Sequence, residues 1–256
     1  MYTDVHTHTT FSDGSALDSM IEAAETAGLE GLGLTDHCIV TDDDFGRRER
    51  YDLVETYERR RSRIESARET TKVQLYDAAE VSYVAGETEP LRAFLAAADF
   101  EYTIGSVHFA GEYDFTRGAP YADATASERR RAVERYYDAV VELIRSDLFD
   151  VLGHLDLPER LEPLRGHTRP DDYDRVAAAL ADSTTVPEIN AGRIDRSLGR
   201  VHPNPTVLSS FIDRGVGFVL GSDGHKPADV RRRVPALRRF IDRHEVEIVD
   251  VAQIRS

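Results

Sequence analysis

The chain of 256 residues is long enough to form one large α/β domain, or two small ones, whose hydrophobic core needs no disulfides. Its single cysteine, Cys38, excludes an internal disulfide and a zinc site built on cysteine. The formal charge of −15, from 47 acidic and 32 basic residues, disfavours binding to nucleic acid or to anionic membranes.

The beginning of the chain, MYTDVHTHTT, shows no basic segment followed by an apolar one, and no apolar run in the sequence approaches the length of a membrane span. From these features we expect a cytoplasmic protein with an acidic surface that binds neither nucleic acid nor membranes. The oligomeric state is left open by the sequence.

Seven short apolar runs have the length and composition of buried strands. In chain order they are residues 2–6, 29–34, 73–81, 100–107, 149–152, 185–190 and 216–220. Segments in which apolar residues have helical spacing follow the strands. The first runs from residue 17 to Gly28, where glycine ends the helix, and the others are residues 42–68, 89–98, 127–146, 171–182, 206–215 and 230–244. Strands that alternate with helices predict parallel βα units of the kind found in α/β barrels.

Two further segments have a more detailed interpretation. The many charges of 42–68 are expected to be the solvated face of a helix. The apolar residues of 246–251 are expected to form a short strand-like tail.

Residue types that bind metals or move protons occur at or just after the end of each of the seven predicted strands. They are His6 and His8, Asp36 and His37, Glu80, His108, His154, Glu188, and Asp223 with His225. In parallel βα barrels the carboxyl ends of the strands meet at one face, where the chemistry takes place. We therefore expect these side chains to converge. In the run from Val219 to Lys226 we expect the glycines to supply the backbone angles that turn Asp223 and His225 toward one point.

Histidine nitrogens combined with carboxylate oxygens suit zinc, manganese or iron, whereas calcium prefers oxygen ligands alone. Six histidines and at least two carboxylates exceed the needs of one tetrahedral site, so two or three ions that share a bridging Glu80 fit the count better. Such a cluster can deprotonate water and neutralise an anionic substrate. The pattern thus indicates hydrolysis of a phosphate ester, with arginine side chains at the rim to bind the phosphate.

The same residues occur in motifs that resemble those of the PHP (polymerase and histidinol phosphatase) superfamily. The matching motifs are His6-Thr7-His8-Thr9, Thr35-Asp36-His37, Glu80, Gly105-Ser106-Val107-His108-Phe109, Gly153-His154-Leu155-Asp156, Glu188-Ile189-Asn190 and Gly221-Ser222-Asp223-Gly224-His225. The resemblance covers nearly the whole chain and is strongest to the histidinol-phosphatase branch. It implies a distorted (βα)7 barrel, a single domain over residues 1–256 and a trinuclear metal centre. The implied reaction is hydrolysis of L-histidinol phosphate to L-histidinol and phosphate, a step of histidine biosynthesis.

Carried over residue by residue, the resemblance implies three ligand sets. The first metal would take His6, His8, Glu80 and Asp223; the second would take Asp13, His37 and His225; and Glu80 would bridge to a third metal bound by His108 and His154. Asp13 stands where several of the phosphatases have His and other PHP proteins have Asp, a change that favours a harder metal.

Asp223, His37 and His202 are the expected catalytic residues. His37 would hold the metal that shares the nucleophilic hydroxide, and His202 would contact the substrate or protonate the leaving alkoxide. Arg160 and Arg193 follow strand ends and match basic positions of the family, so they are expected to bind phosphate.

Arg117 is a third candidate for phosphate binding. It lies in the segment 110–118, which departs from the aromatic, glycine-rich loop of the phosphatases and would face the organic part of the ester. Two other functions stay open at this point. One is a PHP phosphoesterase for another substrate, such as a nucleotide or a nucleic-acid end. The other is a non-catalytic metal-binding or polymerase-accessory module, although such a module would be expected to lose ligands.

Overall fold

The computed structural model describes residues 2–41 and 44–254, and within them it contains ten strands. The strands are β1 (Thr3–Thr7), β2 (Gly31–Leu34), β3 (His37–Cys38), β4 (Gln74–Ser82), β5 (Tyr102–Ser106), β6 (Phe109–Ala110), β7 (Tyr113–Asp114), β8 (Val151–Leu152), β9 (Val186–Asn190) and β10 (Val219–Gly221). Each of the seven predicted strands is present, with its ends shifted by a few residues. The short pairs β3, β6 and β7 are additional.

The seven predicted strands form one parallel sheet in the order β1-β2-β4-β5-β8-β9-β10, and β3 pairs with the far end of β4. The sheet curls until its first and last strands meet, because the backbone nitrogen of His8 donates to the carbonyl of Gly224 at 2.9 Å and Thr7 forms a parallel bridge with Gly224. The result is a nearly closed barrel of seven parallel strands, which confirms the predicted (βα)7 architecture.

Helices pack around the outside of this barrel. They are α1 (Leu17–Thr26), α2 (Asp44–Glu49), α3 (Leu53–Arg68), α4 (Thr88–Ala98), α5 (Ala126–Arg145), α6 (Pro170–Ala181), α7 (Leu208–Ile212) and α8 (Pro227–His244). The longest, α5, begins at a capping box in which Thr125 and Glu128 satisfy each other's backbone groups. Among the described residues, no helix is both long enough and apolar enough to cross a bilayer.

Two of the finer sequence interpretations are wrong. The tail contributes only a bridge between Phe218 and Ile248 and a 3₁₀ turn at Val251–Gln253, not a strand. The charges of α3 are not all solvated, because Arg60 is buried and donates to Asp36 at 3.2 Å and to Asp77 at 2.6 Å. Residues 42 and 43, at the start of the charged segment, lie outside the described residues.

Apolar side chains fill the interior of the barrel near the amino ends of the strands. This cluster includes Val5, Ala78, Tyr102, Ile104 and Val219, all buried. A larger apolar layer lies between the strands and the surrounding helices. Apolar residues thus fill the bottom of the barrel, and the polar strand residues of the interior lie toward the carboxyl ends, at the mouth.

Candidate metal centre and phosphate site

A cavity of about 660 Å³ opens at the carboxyl ends of the strands. Its wall includes ten of the predicted site residues, namely Asp13, His37, Glu80, His108, Arg117, His154, Arg160, Arg193, Asp223 and His225. His6 and His8 are fully buried and approach Glu80 from β1 and from the residue that follows it. The convergence predicted from strand ends is therefore present in the fold.

Glu80, near the end of β4, lies at the centre of the histidines. Its Oε2 atom is 2.7 Å from Nδ1 of His37, 3.5 Å from Nε2 of His6 and 3.7 Å from Nε2 of His8. The side chain of Glu80 is 1% exposed, so this oxygen has no access to bulk water. One carboxylate oxygen therefore faces three imidazole nitrogens in a closed space.

The second oxygen of Glu80 faces the opposite side of the mouth. Oε1 lies 2.9 Å from Nε2 of His154 and 3.5 Å from Nε2 of His108, and it accepts a hydrogen bond of 2.7 Å from the Ser106 hydroxyl. Because its two oxygens point to different histidines, Glu80 has the geometry of a bridging carboxylate. The bridging role itself stays a prediction.

Two aspartates complete the outer side of the cluster. Asp13 places Oδ2 3.3 Å from Nε2 of His225 and Oδ1 3.7 Å from Nε2 of His37. Asp223 places Oδ1 3.6 Å from Nδ1 of His225 and 3.7 Å from Nε2 of His8. The second carboxylate oxygen of Asp223 points instead to an arginine, described below.

Three groups of donor atoms are compact enough to hold an ion, since within each group the atoms lie within 4.8 Å of one another. The groups are His8, Asp13, His37 and His225; His6, His8 and Glu80; and His37, Glu80 and His108. They resemble the three predicted ligand sets, but His8 also belongs to the group of Asp13, and His37 also belongs to the group of His108. Both histidines thus lie between two candidate metal positions.

The hydrogen bonding of this cluster fits bound cations. Within the described residues, Nε2 of His6 and Nε2 of His8 are buried and make no hydrogen bond, although buried polar atoms are normally paired. Both nitrogens point toward Oε2 of Glu80, the same atom that faces His37. Imidazole nitrogens gathered around a carboxylate oxygen are the donor set of a divalent metal site.

The ionisation of these groups also suits metal ligands. Burial opposes the charge on Glu80, but His37 and His6 outweigh it and hold the pKa of Glu80 well below its usual range. Burial, reinforced by His225 and His37, lowers the pKa of His8 well below its ordinary value. The two residues therefore present an anionic oxygen and a neutral imidazole, which are the states that bind cations.

Glu188 on β9 orients two of the candidate ligands. Its Oε1 atom lies 2.8 Å from Nδ1 of His6, and its Oε2 atom accepts from the backbone nitrogen of His154 and from the Asn190 side chain, each at 2.9 Å. Because an ionised carboxylate only accepts, Nδ1 of His6 carries a proton, so the neutral ring that a cation would bind keeps its lone pair on Nε2, the atom that faces Glu80. The sequence marked Glu188 as a strand-end residue without indicating this role.

The backbone at two strand ends adopts the left-handed region. His154 has φ of 23° and Asp223 has φ of 54°, values that are uncommon for residues other than glycine and that cluster at functional sites. The expectation that the neighbouring glycines supply such angles is wrong, because Asp223 itself supplies the turn. Gly221 is required for space instead, since a Cβ atom there would lie 1.5 Å from Oε1 of Glu188.

Arg160 is the last residue of the 3₁₀ turn Leu157–Arg160 and lies on the cavity wall. Its Nη2 atom donates to Oδ2 of Asp223 at 2.8 Å and to Oδ1 of Asn190 at 2.6 Å, while Nε donates to Nε2 of His202 at 2.9 Å. Nδ1 of His202 is 2.5 Å from Oδ1 of Asp156. His202 is 1% exposed and is not part of the cavity wall. That it contacts the substrate or protonates the leaving group stays a prediction, which this burial does not favour.

The two other predicted phosphate ligands lie nearer to the solvent. Arg193 is exposed, adopts a left-handed φ of 67°, and forms no ion pair with any described residue. Although the residue as a whole is exposed, partial desolvation of its guanidinium group and repulsion from the neighbouring Arg160 lower the pKa of Arg193, so an anion between the two guanidinium groups would relieve their repulsion. Arg117 is already paired with Asp114 at 2.7 Å and lies at the rim.

Several wall residues carry no signal in the sequence. The ring of Tyr51 lies 4.7 Å from that of His37, in the segment between α2 and α3. Lys226 and Arg233, at the start of α8, add positive charge to the wall. The second half of the loop after His108, from Phe115 to Gly118, also lines the cavity, and its contact with the organic part of a substrate stays a prediction.

Comparisons with known proteins agree with this geometry. A PHP domain model matches residues 4–187, which is more than half of the chain. The protein named "Probable histidinol-phosphatase" of Deinococcus radiodurans is 30% identical over 214 residues, which cover 82% of this chain and 80% of that protein.

Two solved structures share the fold. Histidinol phosphate phosphatase from Lactococcus lactis subsp. lactis, solved in complex with zinc, L-histidinol and phosphate, is 20% identical with a TM-score of 0.79, and the match covers 97% of this chain and 95% of that chain. A Listeria monocytogenes protein is 18% identical with a TM-score of 0.72, covering 90% of this chain and 97% of that chain. From the family model and the Deinococcus relative together, the chain belongs to the PHP domain family.

Proposed function

We propose that this protein is a metal-dependent phosphatase that hydrolyses L-histidinol phosphate to L-histidinol and phosphate. The observation that carries the proposal is the meeting, in one cavity, of the donor atoms around Glu80 with the guanidinium groups of Arg160 and Arg193. The Deinococcus relative is named a histidinol-phosphatase, and the Lactococcus structure with the same fold binds zinc, L-histidinol and phosphate. Together these support a phosphoric monoester hydrolase of histidine biosynthesis.

The residues around Glu80 would hold three divalent ions, zinc, manganese or iron. The proposed sets are those around His6 and His8, around Asp13 and His225, and around His108 and His154, with Glu80 shared. When bound, such ions supply a hydroxide from water at neutral pH and neutralise the charge of the phosphoryl oxygens. Asp223 and His37 are proposed as catalytic residues because they hold donor atoms at the edge of the cluster that faces the cavity.

The guanidinium groups would select and orient the phosphate. A phosphomonoester carries up to two negative charges, and Arg160 and Arg193 offer planar, directional donors beside the metal ligands. Arg160 is connected to the candidate metal cluster through Asp223, whose two oxygens contact the arginine and the histidines respectively. A phosphate bound there would therefore lie with its phosphorus atom next to the candidate ions.

The segment from Phe115 to Gly118 is proposed to meet the histidinol part of the ester, with Arg117 at the rim as a weaker phosphate contact. The proposal takes residues 1–256 as one PHP domain that works in the cytoplasm on a small phosphorylated substrate and binds neither nucleic acid nor membrane.

The test is an assay of the purified protein, stripped of metal and reloaded with zinc, manganese or iron. A panel of phosphomonoesters that includes L-histidinol phosphate, nucleotides and sugar phosphates would be compared at equal concentration. We expect the highest kcat/KM for L-histidinol phosphate and no activity in the stripped protein. Equal or better turnover of a nucleotide would overturn the substrate assignment, and elemental analysis that finds one ion per chain at saturation would overturn the trinuclear centre.

A further inference from the structure

We infer that Asp156 and His202 form a buried pair that positions Arg160 for phosphate binding, and that His202 is not the acid that protonates the leaving group. The inference rests on the proposed phosphatase function. It concerns two residues that lie outside the candidate ligand sets and outside the cavity wall.

The direction of each hydrogen bond in the chain Asp156–His202–Arg160 follows from chemistry. A guanidinium group only donates, so Nε2 of His202 must accept from Nε of Arg160 at 2.9 Å. The remaining ring proton is therefore on Nδ1, which donates to Oδ1 of Asp156 at 2.5 Å. This tautomer leaves His202 without a proton that could reach a substrate.

The position of His202 is fixed from several sides. Its backbone nitrogen and carbonyl exchange hydrogen bonds with Asn190, at 3.0 and 2.8 Å. The other oxygen of Asp156 accepts from the Tyr173 hydroxyl at 3.3 Å, and Asp156 is completely buried. A general acid must come within about 2.6–3.2 Å of the atom that it protonates. The buried His202 ring meets the guanidinium of Arg160 instead.

Arg160 is consequently held along one edge. Its Nε atom is fixed by His202, and its Nη2 atom is fixed by Asn190 and Asp223. Within the described residues, Nη1 makes no hydrogen bond, and the side chain lines the cavity. The pair thus restricts a flexible side chain to the one orientation that presents Nη1 to a phosphoryl oxygen, which lowers the entropy lost on binding.

Two amide variants, each of which replaces one ring nitrogen, separate the positioning role from the acid role. In His202→Gln, the side-chain oxygen can reach the position of Nε2 and accept from Arg160, whereas in His202→Asn the shorter amide can contact Asp156 but not Arg160. We expect His202→Asn to lower kcat/KM by about 10- to 100-fold, the scale of a lost hydrogen bond to a charged group, and His202→Gln to stay within about 5-fold of the wild type. Equal activity of the two variants would overturn the inference.

The leaving group gives a second readout that a merely structural defect would not produce. Losing a general acid harms the alkyl ester L-histidinol phosphate far more than p-nitrophenyl phosphate, whose leaving group needs no proton. Losing a positioning residue lowers kcat/KM for both esters by a similar factor. If His202→Asn lowers kcat/KM for the alkyl ester alone, His202 acts as the acid and the inferred positioning role is overturned.

A double-mutant cycle completes the experiment. If His202 acts through Arg160, adding His202→Asn to Arg160→Ala should cause no further loss, whereas an additional loss of the same size would contradict the inference. Binding of inorganic phosphate to the metal-loaded protein, measured by calorimetry, should follow the same pattern. That measurement needs no turnover, so failure of the wild type to hydrolyse any ester would reject the proposed function while the phosphate affinities still test the pair. Metal content and unfolding midpoints of all variants serve as controls.

Discussion

Replacing Glu188 by Gln tests how a buried residue outside the ligand sets controls a candidate metal ligand. The carboxylate accepts three hydrogen bonds, from Nδ1 of His6 and, on its other oxygen, from the His154 backbone and the Asn190 side chain. Glutamine provides only one accepting atom. If its oxygen serves the two donors on one side, its amino group faces Nδ1 of His6.

That arrangement favours the tautomer of His6 with the proton on Nε2, the nitrogen that faces Glu80 and that would bind the ion. Loss of such an orienting partner typically weakens metal binding by about 10- to 100-fold, which equals about 1.4–2.8 kcal/mol. The opposite orientation of the amide leaves two buried donors against an amino group and costs about 1–3 kcal/mol for each unsatisfied group. Either orientation therefore weakens the site.

The assay is a competition titration of zinc between the stripped protein and a chromophoric chelator, with elemental analysis at saturation. Glu159→Gln is the matched control, because Glu159 is also a buried carboxylate but binds Gly166 and Thr168 and no histidine. We expect the control to keep the affinity of the wild type. An affinity of Glu188→Gln within twofold of the wild type for every ion would refute the reasoning.

Three further outcomes follow from the site and the core. His37→Ala should lower kcat by roughly a thousandfold with little change in the unfolding midpoint, because a metal ligand at the mouth supports the reaction and not the apolar core; near-normal kcat with metals intact would contradict the assignment. Arg193→Lys should raise KM for phosphomonoesters because the charge is kept and the bidentate geometry is lost. Arg160→Ala should lower kcat/KM by a factor that corresponds to about 2–3 kcal/mol of transition-state stabilisation. If steady-state kinetics leave both arginine variants unchanged, Arg117 becomes the phosphate ligand to test. Burial raises the pKa of the Cys38 thiol to about 12. The native state then retains a proton that the unfolded chain loses above about pH 8.5, so the free energy of unfolding falls by about 1.4 kcal/mol per pH unit as the pH rises from there toward 12. Between pH 9 and 10, the free energy of unfolding of Cys38→Ala, measured in urea, should fall less steeply with pH than that of the wild type. An identical pH dependence in the two proteins would contradict the prediction.

The sequence by itself determined the strands, the barrel and the candidate ligands. Short apolar runs such as 29–34 and 216–220 predict strands because alternation and length are local properties of the chain. Parallel strands in a barrel place their carboxyl ends at one face, so His6, Glu80 and Asp223 are expected together although they are distant in sequence. That inference needs the strands to close into a barrel, which the resemblance to the PHP superfamily implies and the βα alternation alone does not.

The tertiary structure alone decided which atoms meet at that face. Glu188 contacts His6 across 182 positions of the chain, and His202 contacts Asp156 across 46. Neither contact can be predicted from a local sequence pattern. The directions of side chains at the mouth depend on the closure of the barrel and on the backbone of residues such as Asp223, which adopts a left-handed conformation. The surroundings of His202 were likewise decided by the tertiary structure. Its residue type and loop position suited an acid, but burial against Arg160 places both ring nitrogens in hydrogen bonds and turns the side chain away from the cavity.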